Sequence, residues 1–209
     1  DPKQSDGYLG LAFQYEKLSM DDLTLYYFNK AISIDPKQPD ALAGLGKYYE
    51  KIGKREKAIE FLKRAISANS KNTQAYLELG FINEREGNSE GAVQLFKEIL
   101  AYDKNNFDAL IALGYQYFKI EKTDQALKYY QRAVSIKPKD LIGYLGLAMI
   151  FEKKKEFDKA INLLNQVIYL SGKPSSELLT NLGRVYYSKI DYSLAINHFI
   201  EAIILNNEQ

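Results

Sequence analysis

Four glutamates share one register: Glu16, Glu50, Glu84 and Glu152 are spaced by 34 residues or by twice that number. Neighbouring carboxylates could divide acid and base roles, provided burial or a like charge keeps one of them protonated. Each is instead followed by a cation, at Lys17, Lys51, Arg85 and Lys153. The pattern reads as a solvated rim that sets partner register and adds little affinity pair by pair. His198 is the only histidine and cysteine is absent, so there is no second imidazole for a metal and no thiol to activate. Gly53-Lys54-Arg55 lacks the upstream glycine of a phosphate loop, and no strand precedes it. These residues point to no catalytic centre, cofactor or metal site, and the chain reads as non-enzymatic.

The register of the glutamates belongs to a larger pattern. A unit of 34 residues, once lengthened to 35, recurs six times, beginning at Ser5, Pro39, Thr73, Phe107, Leu141 and Ser176. Its seventh position is always leucine (Leu11, Leu45, Leu79, Leu113, Leu147, Leu182), and its eighth is Ala12, Gly46, Gly80, Gly114, Ala148 and Gly183. Its twentieth is Thr24, then Ala58, Ala92, Ala126, Ala160 and Ala195. Apolar residues at positions 4, 7, 8 and 11 fall on one face of a helix, and positions 20, 24 and 27 repeat that spacing on a second. Short polar breaks such as Ile52-Gly53-Lys54 and Glu86-Gly87-Asn88 make the two helices antiparallel. The small residues at 8 and 20 let their backbones approach. A period of this length predicts a stacked array in which each unit buries its apolar face against its neighbours.

Position 4 is Tyr8, Leu42, Tyr76, Leu110, Tyr144 and Leu179; position 11 is aromatic except at Asn83, expected to be a hydrogen-bonded, half-buried residue. Position 24 is Phe28, Leu62, Phe96, Tyr130, Leu164 and Phe199, and Pro36 and Pro138 hold position 32. Together these resemble the tetratricopeptide repeat over residues 5 to 209. The resemblance implies an all-α fold, an α-solenoid of six antiparallel helix-turn-helix repeats forming a right-handed superhelix. The expected repeats are 5–38, 39–72, 73–106, 107–140, 141–175 and 176–209. Asp1-Pro2-Lys3-Gln4 duplicates Asp35-Pro36-Lys37-Gln38 and is expected to be the remnant of a preceding repeat, residues 1–4.

Composition limits the partners. Lys and Arg outnumber Asp and Glu by 28 to 27 and form no basic stripe, which argues against nucleic-acid binding. No run of eighteen apolar residues exists, so direct membrane insertion is not expected, and the compartment stays open.

The resemblance implies a protein-interaction scaffold whose first helices line a concave groove, with positions 2, 5, 9, 12 and 13 forming the wall. Here the wall holds Leu9, Phe13, Lys47, Leu77, Phe81, Ile111, Tyr115, Phe118, Leu145, Met149 and Tyr187, with Lys47, Lys119 and Arg184 tuning register. Position 9 is expected to look away from the second helix, which makes Phe13, Phe81, Tyr115 and Met149 contact residues rather than packing. Such a trough suits a helical or extended apolar segment of a protein or peptide. The family's carboxylate clamp and its asparagine ladder do not fit: position 6 holds Gly10, Gly44, Glu78, Ala112, Gly146 and only once Asn181. Those glycines either admit a ligand backbone or relieve crowding between helices. The alternatives are a substrate-recruiting arm of a larger enzyme and a homo-oligomer. The second rests on Leu23, Tyr26, Ile200 and Ile204, apolar where sibling repeats are mostly polar.

Overall fold

The computed structural model describes residues 2–207. Asp1 of the 1–4 segment, and Glu208 and Gln209 of the sixth repeat, lie outside the described residues. Among those described there are twelve α-helices and no strand. The first helices of the six pairs are α1 (Pro2–Lys17), α3 (Pro39–Lys51), α5 (Thr73–Arg85), α7 (Phe107–Lys119), α9 (Leu141–Lys153) and α11 (Ser176–Ser188). The second helices are α2 (Asp21–Ile34), α4 (Arg55–Ala68), α6 (Ser89–Tyr102), α8 (Thr123–Ile136), α10 (Phe157–Ser171) and α12 (Tyr192–Asn207).

The two kinds of helix start differently. A side chain just ahead of each interior first helix accepts from its free N–H groups: Gln38, Asn72, Asn106, Asp140 and Ser175. Such caps satisfy backbone donors that have no partner within the helix. Among the second helices, α6 is capped in this way by Asn88, while α2, α4, α8 and α10 have no side-chain cap. The turn inside each pair is fixed by one left-handed residue at position 15: Ser19, Gly53, Gly87, Glu121, Lys155 and Ile190 have φ between 56° and 78°. Glycine takes that conformation without strain, and the other four do not. The added residue of the 35-residue unit lengthens α10 to 15 residues, against 14 in α2, α4, α6 and α8, and the helix ends at left-handed Gly172.

The tetrapeptide Asp-Pro-Lys-Gln shows how context decides. At 35–38 it is a turn, with Asp35 accepting from the Lys37 amide and Gln38 capping α3. Residues 2–4 of the first occurrence are instead the opening turn of α1.

Two compact units divide the chain, Asp1–Lys104 and Asn105–Gln209. In the first, Ala12, Phe28, Ala31, Ala41 and Leu45 form one buried cluster, and Leu42, Ala58, Leu62, Ala75, Leu79 and Ile82 belong to another. In the second, Ala148, Ala160, Leu164, Val167, Leu178 and Leu182 do the same. The glycines at position 8 are filled by neighbours: a Cβ on Gly46 would meet Leu62 at 2.5 Å and one on Gly114 would meet the Tyr130 ring at 3.0 Å. Position 6 resolves too. Phe28 lies within 2.9 Å of a Cβ placed on Gly44, and Tyr130 within 2.6 Å of one on Gly146. Those two glycines relieve crowding from the preceding second helix, whereas Gly10 faces open space.

Candidate functional site

The first helices of each unit present the residues that the sequence assigns to a binding wall. In the second unit these converge. Leu145, Met149 and Val185 floor a cavity of about 290 Å³ between α9 and α11, and Glu152, Asn181 and Arg184 supply its polar edge. Beside it opens a shallower cleft of about 650 Å³ that shares Met149, Glu152 and Arg184 and adds Phe118, Lys153 and Phe157. Met149 and Tyr115 are exposed at 36% and 40%, and Lys119 sits over the Tyr115 ring at 5.7 Å. Ile111 is half-buried, and exposed Tyr187 lies against Tyr192 at 5.5 Å.

In the first unit, half-buried Leu9 and Leu77 border the packing beneath them. Phe13 and Phe81 are half-buried, and each ring lies 5.5 Å from an aromatic of its own second helix, Phe28 and Phe96. The expectation that position 9 looks away from the second helix therefore fails at these two residues. The small residues at position 8 bring the helices close enough for a ring at position 9 to reach across. Lys47 is exposed but engaged, 2.9 Å from Glu16.

The glutamate register needs a larger correction. The carboxylates of Glu50 and Glu152 are only 13% and 18% exposed, so they are no solvated rim. Each reaches a cation one repeat further on rather than its sequence neighbour. Glu16 pairs with Lys47, Glu50 with Arg85 at 2.7 Å, and Glu152 with Arg184 at 3.0 Å. Position 12 faces the next first helix, whose positions 9 and 13 carry the partner. Glu50 also lies 4.0 Å from Arg55, which reaches Glu86 at 3.7 Å. Half-buried Glu78 sits inside this network. Burial pushes its pKa up, helped by Glu16 and Glu50, while Lys47 and Arg85 pull it down. On the outer turns, the ammonium groups of Lys154 and Lys189 bond Asp124 and Asp158 of the preceding repeat, and Lys154 holds the Asp124 carboxyl below the usual carboxylate range.

The remaining candidates are structural. His198 stacks on Tyr186 at 5.3 Å and approaches Glu201. Asn83 accepts from the Asn88 side chain at 3.2 Å. Among the described residues no group of three or more His, Cys, Asp or Glu could hold a metal ion, and no helix is long and apolar enough to cross a membrane. The sequence reading missed Phe157, although its aromatic ring stands where the first four repeats carry Asp21, Arg55, Ser89 and Thr123, and it gave Glu152 the wrong role, because only the folded chain brings the two into one cleft.

Comparison with known proteins fits this architecture. The family model for the cilia and flagella-associated protein 70 middle TPR-like domain matches residues 8–171. The chain belongs to that family. No curated protein matches the sequence. Solved structures resemble this TPR-like chain in fold. The Pseudomonas aeruginosa pilF structure is 20% identical with a TM-score of 0.82, covering 95% of this chain and 90% of that one. PilW, a type IV pilus biogenesis factor, is 17% identical with a TM-score of 0.85, covering 93% and 90%. YrrB, described as a TPR protein with an unusual peptide-binding site, is 22% identical with a TM-score of 0.67, covering 87% and 93%. The TPR-like family and these tetratricopeptide folds make the chain an α-helical repeat protein of the protein-interaction scaffold class.

Proposed function

We propose that the chain is a non-catalytic scaffold that holds an apolar peptide or helix segment on its first-helix face, anchored in the α9–α11 seam. The observation that carries this reading is the 290 Å³ cavity, apolar at its floor through Leu145, Met149 and Val185 and polar at its edge through Asn181 and Glu177. Its volume is at the lower limit of small-molecule pockets, which span about 300–1,000 Å³, and suits a single inserted side chain. Tyr115, Phe118 and Met149 extend the apolar surface along the same unit. Arg184 is already paired with Glu152, so recognition rests on shape and apolar contact rather than on a free charge.

Burying one anchor and two flanking side chains yields roughly 1.5–3 kcal/mol each. Association and ordering consume about 4–15 kcal/mol. A short segment therefore binds weakly, no tighter than about 0.2 mM, and tighter binding requires several repeats to engage together. The expected repeats, 5–38 through 176–209, are the proposed units over which that engagement adds.

The test is calorimetric titration of a panel of amphipathic-helical and extended peptides bearing Leu, Ile or Phe anchors. Tyr115→Lys with Met149→Glu, both at exposed positions, should weaken the best peptide at least tenfold while helix content stays unchanged. Undiminished binding by that folded variant would move the site off this seam.

A further inference from the structure

We propose that the first unit carries a recognition site of its own, in which Glu78 of α5 receives a cationic side chain, lysine or arginine, from a protein partner. The first helices of that unit bring Glu16, Lys47, Glu50, Glu78 and Arg85 into electrostatic contact. Two of the three carboxylates already hold a cation, Glu16 with Lys47 at 2.9 Å and Glu50 with Arg85 at 2.7 Å. Glu78 is half-buried and makes no hydrogen bond and no ion pair among the described residues. Arg55 does not restore the balance, because it stands between Glu50 at 4.0 Å and a further carboxylate, Glu86, at 3.7 Å.

A carboxylate withdrawn from water without a partner is costly, and folded chains ordinarily supply one. Here the two nearest cations are engaged, and the local balance is one positive charge short. Burial is the main cause that pushes the Glu78 pKa up, and the pull of Lys47 and Arg85 does not cancel it. Glu50 adds a second open acceptor: its Oε1 takes Arg85, while its Oε2 is buried and accepts no hydrogen bond. The deficit belongs to this repeat alone. At the same position the other copies carry Gly10, Gly44, Ala112, Gly146 and Asn181, none of them charged.

The surroundings select the occupant. An anion would deepen the excess of negative charge. A metal ion is not suited either, since among the described residues no group of three or more His, Cys, Asp or Glu could hold one. Gly44, at the matching position of α3, has no side chain to close the wall beside Glu78. Phe81 lies one turn along α5 on the same face as Glu78 and is half-buried. A lysine or arginine side chain meets both features at once, with its stem against the free part of the ring and its charged head on the carboxylate. A small free cation would leave the ring uncovered, so the chemistry favours a side chain delivered by a protein segment.

The test follows the glutamate side-chain carbons by nuclear magnetic resonance. The probes are acetylated, amidated pentapeptides Leu-Ala-X-Ala-Leu, with X arginine, lysine or citrulline, the neutral counterpart of arginine. The arginine and lysine peptides should shift the Glu78 carboxyl carbon saturably, and the citrulline peptide should bind about tenfold more weakly. Glu78→Gln should weaken the arginine peptide by about the same factor and bring it level with citrulline. Glu60→Gln, at a 64% exposed carboxylate of α4, should change nothing. Tyr115→Lys with Met149→Glu should leave the response intact, so this site and the α9–α11 seam fail separately. Equal binding of the arginine and citrulline peptides to the wild-type chain overturns the proposal without recourse to any variant. So does undiminished binding by Glu78→Gln, and so does the lack of a saturable shift through the millimolar range. Guanidinium chloride that reproduces the full shift at the same concentration also overturns it, because the site would then be one for a small free ion.

Discussion

Gly146→Ala is the sharpest test of how the repeats fit together. The added methyl would fall inside the ring of Tyr130, with Cδ1 at 2.6 Å, and Tyr130 is only 4% exposed. Replacing a helical glycine by alanine ordinarily stabilises by about 1 kcal/mol. Overpacking a closed site costs about 1–3 kcal/mol. The net expectation is a loss of up to about 2 kcal/mol at Gly146. Gly10→Ala is the matched control: it sits at the same repeat position, meets nothing within 4 Å and should keep the full gain. With a urea slope of about 2 kcal/mol per molar, the two unfolding midpoints should differ by about 0.5–1.5 M. Tyr130→Leu supplies a rescue. Leucine already holds the equivalent position at Leu62 and Leu164, where the next repeat carries the larger Glu78 and Asn181 opposite. The double variant should therefore be less destabilised than the two single variants taken together, by about 1–2 kcal/mol of coupling. Equal midpoints for Gly146→Ala and Gly10→Ala, or additivity in the double variant, would refute the close approach of Tyr130 to α9.

Glu78 gives a pH signature. Its folded pKa is raised, so between its ordinary value near 4.5 and the raised one the native state binds more protons than the unfolded chain, and stability falls as pH rises through that window. Glu78→Gln should flatten that fall and stabilise the first unit near neutral pH, with no gain well below pH 4.5; denaturant midpoints across the pH range check it. Ile190 adopts φ 69° although β-branched and is 72% exposed, so Ile190→Gly should raise the unfolding free energy by roughly 1 kcal/mol through relief of left-handed strain, read from the denaturant midpoint. The same substitution at a right-handed exposed site such as Ile52 should destabilise.

Periodicity made the helices and their pairing legible, because the same leucine and the same small residues recur in fixed phase. Left-handed turns were legible at Gly53 and Gly87 but not at Glu121, Lys155 or Ile190, where the fold imposes a conformation that the residue resists. Ion pairs were misread for a related reason. Sequence adjacency suggested Glu50 with Lys51, while helix stacking delivers Arg85 from the next repeat. Phe13 and Phe81 were assigned to a ligand when half of each ring is spent on its own helix pair, since spacing gives the direction of a side chain but not its reach.

The inter-repeat carboxylate pairs make any charged ligand a competitor rather than a newcomer. An acidic group approaching Lys47 or Arg184 has to evict Glu16 or Glu152, and the evicted glutamate then needs a counterion of its own. The exchange swaps one ion pair for another, so its Coulombic balance stays close to neutral and its response to added salt should be shallow. Under the proposed function, a surface rich in charge thereby discriminates on contour, with its glutamates as built-in decoys that keep stray anions from settling in the seam.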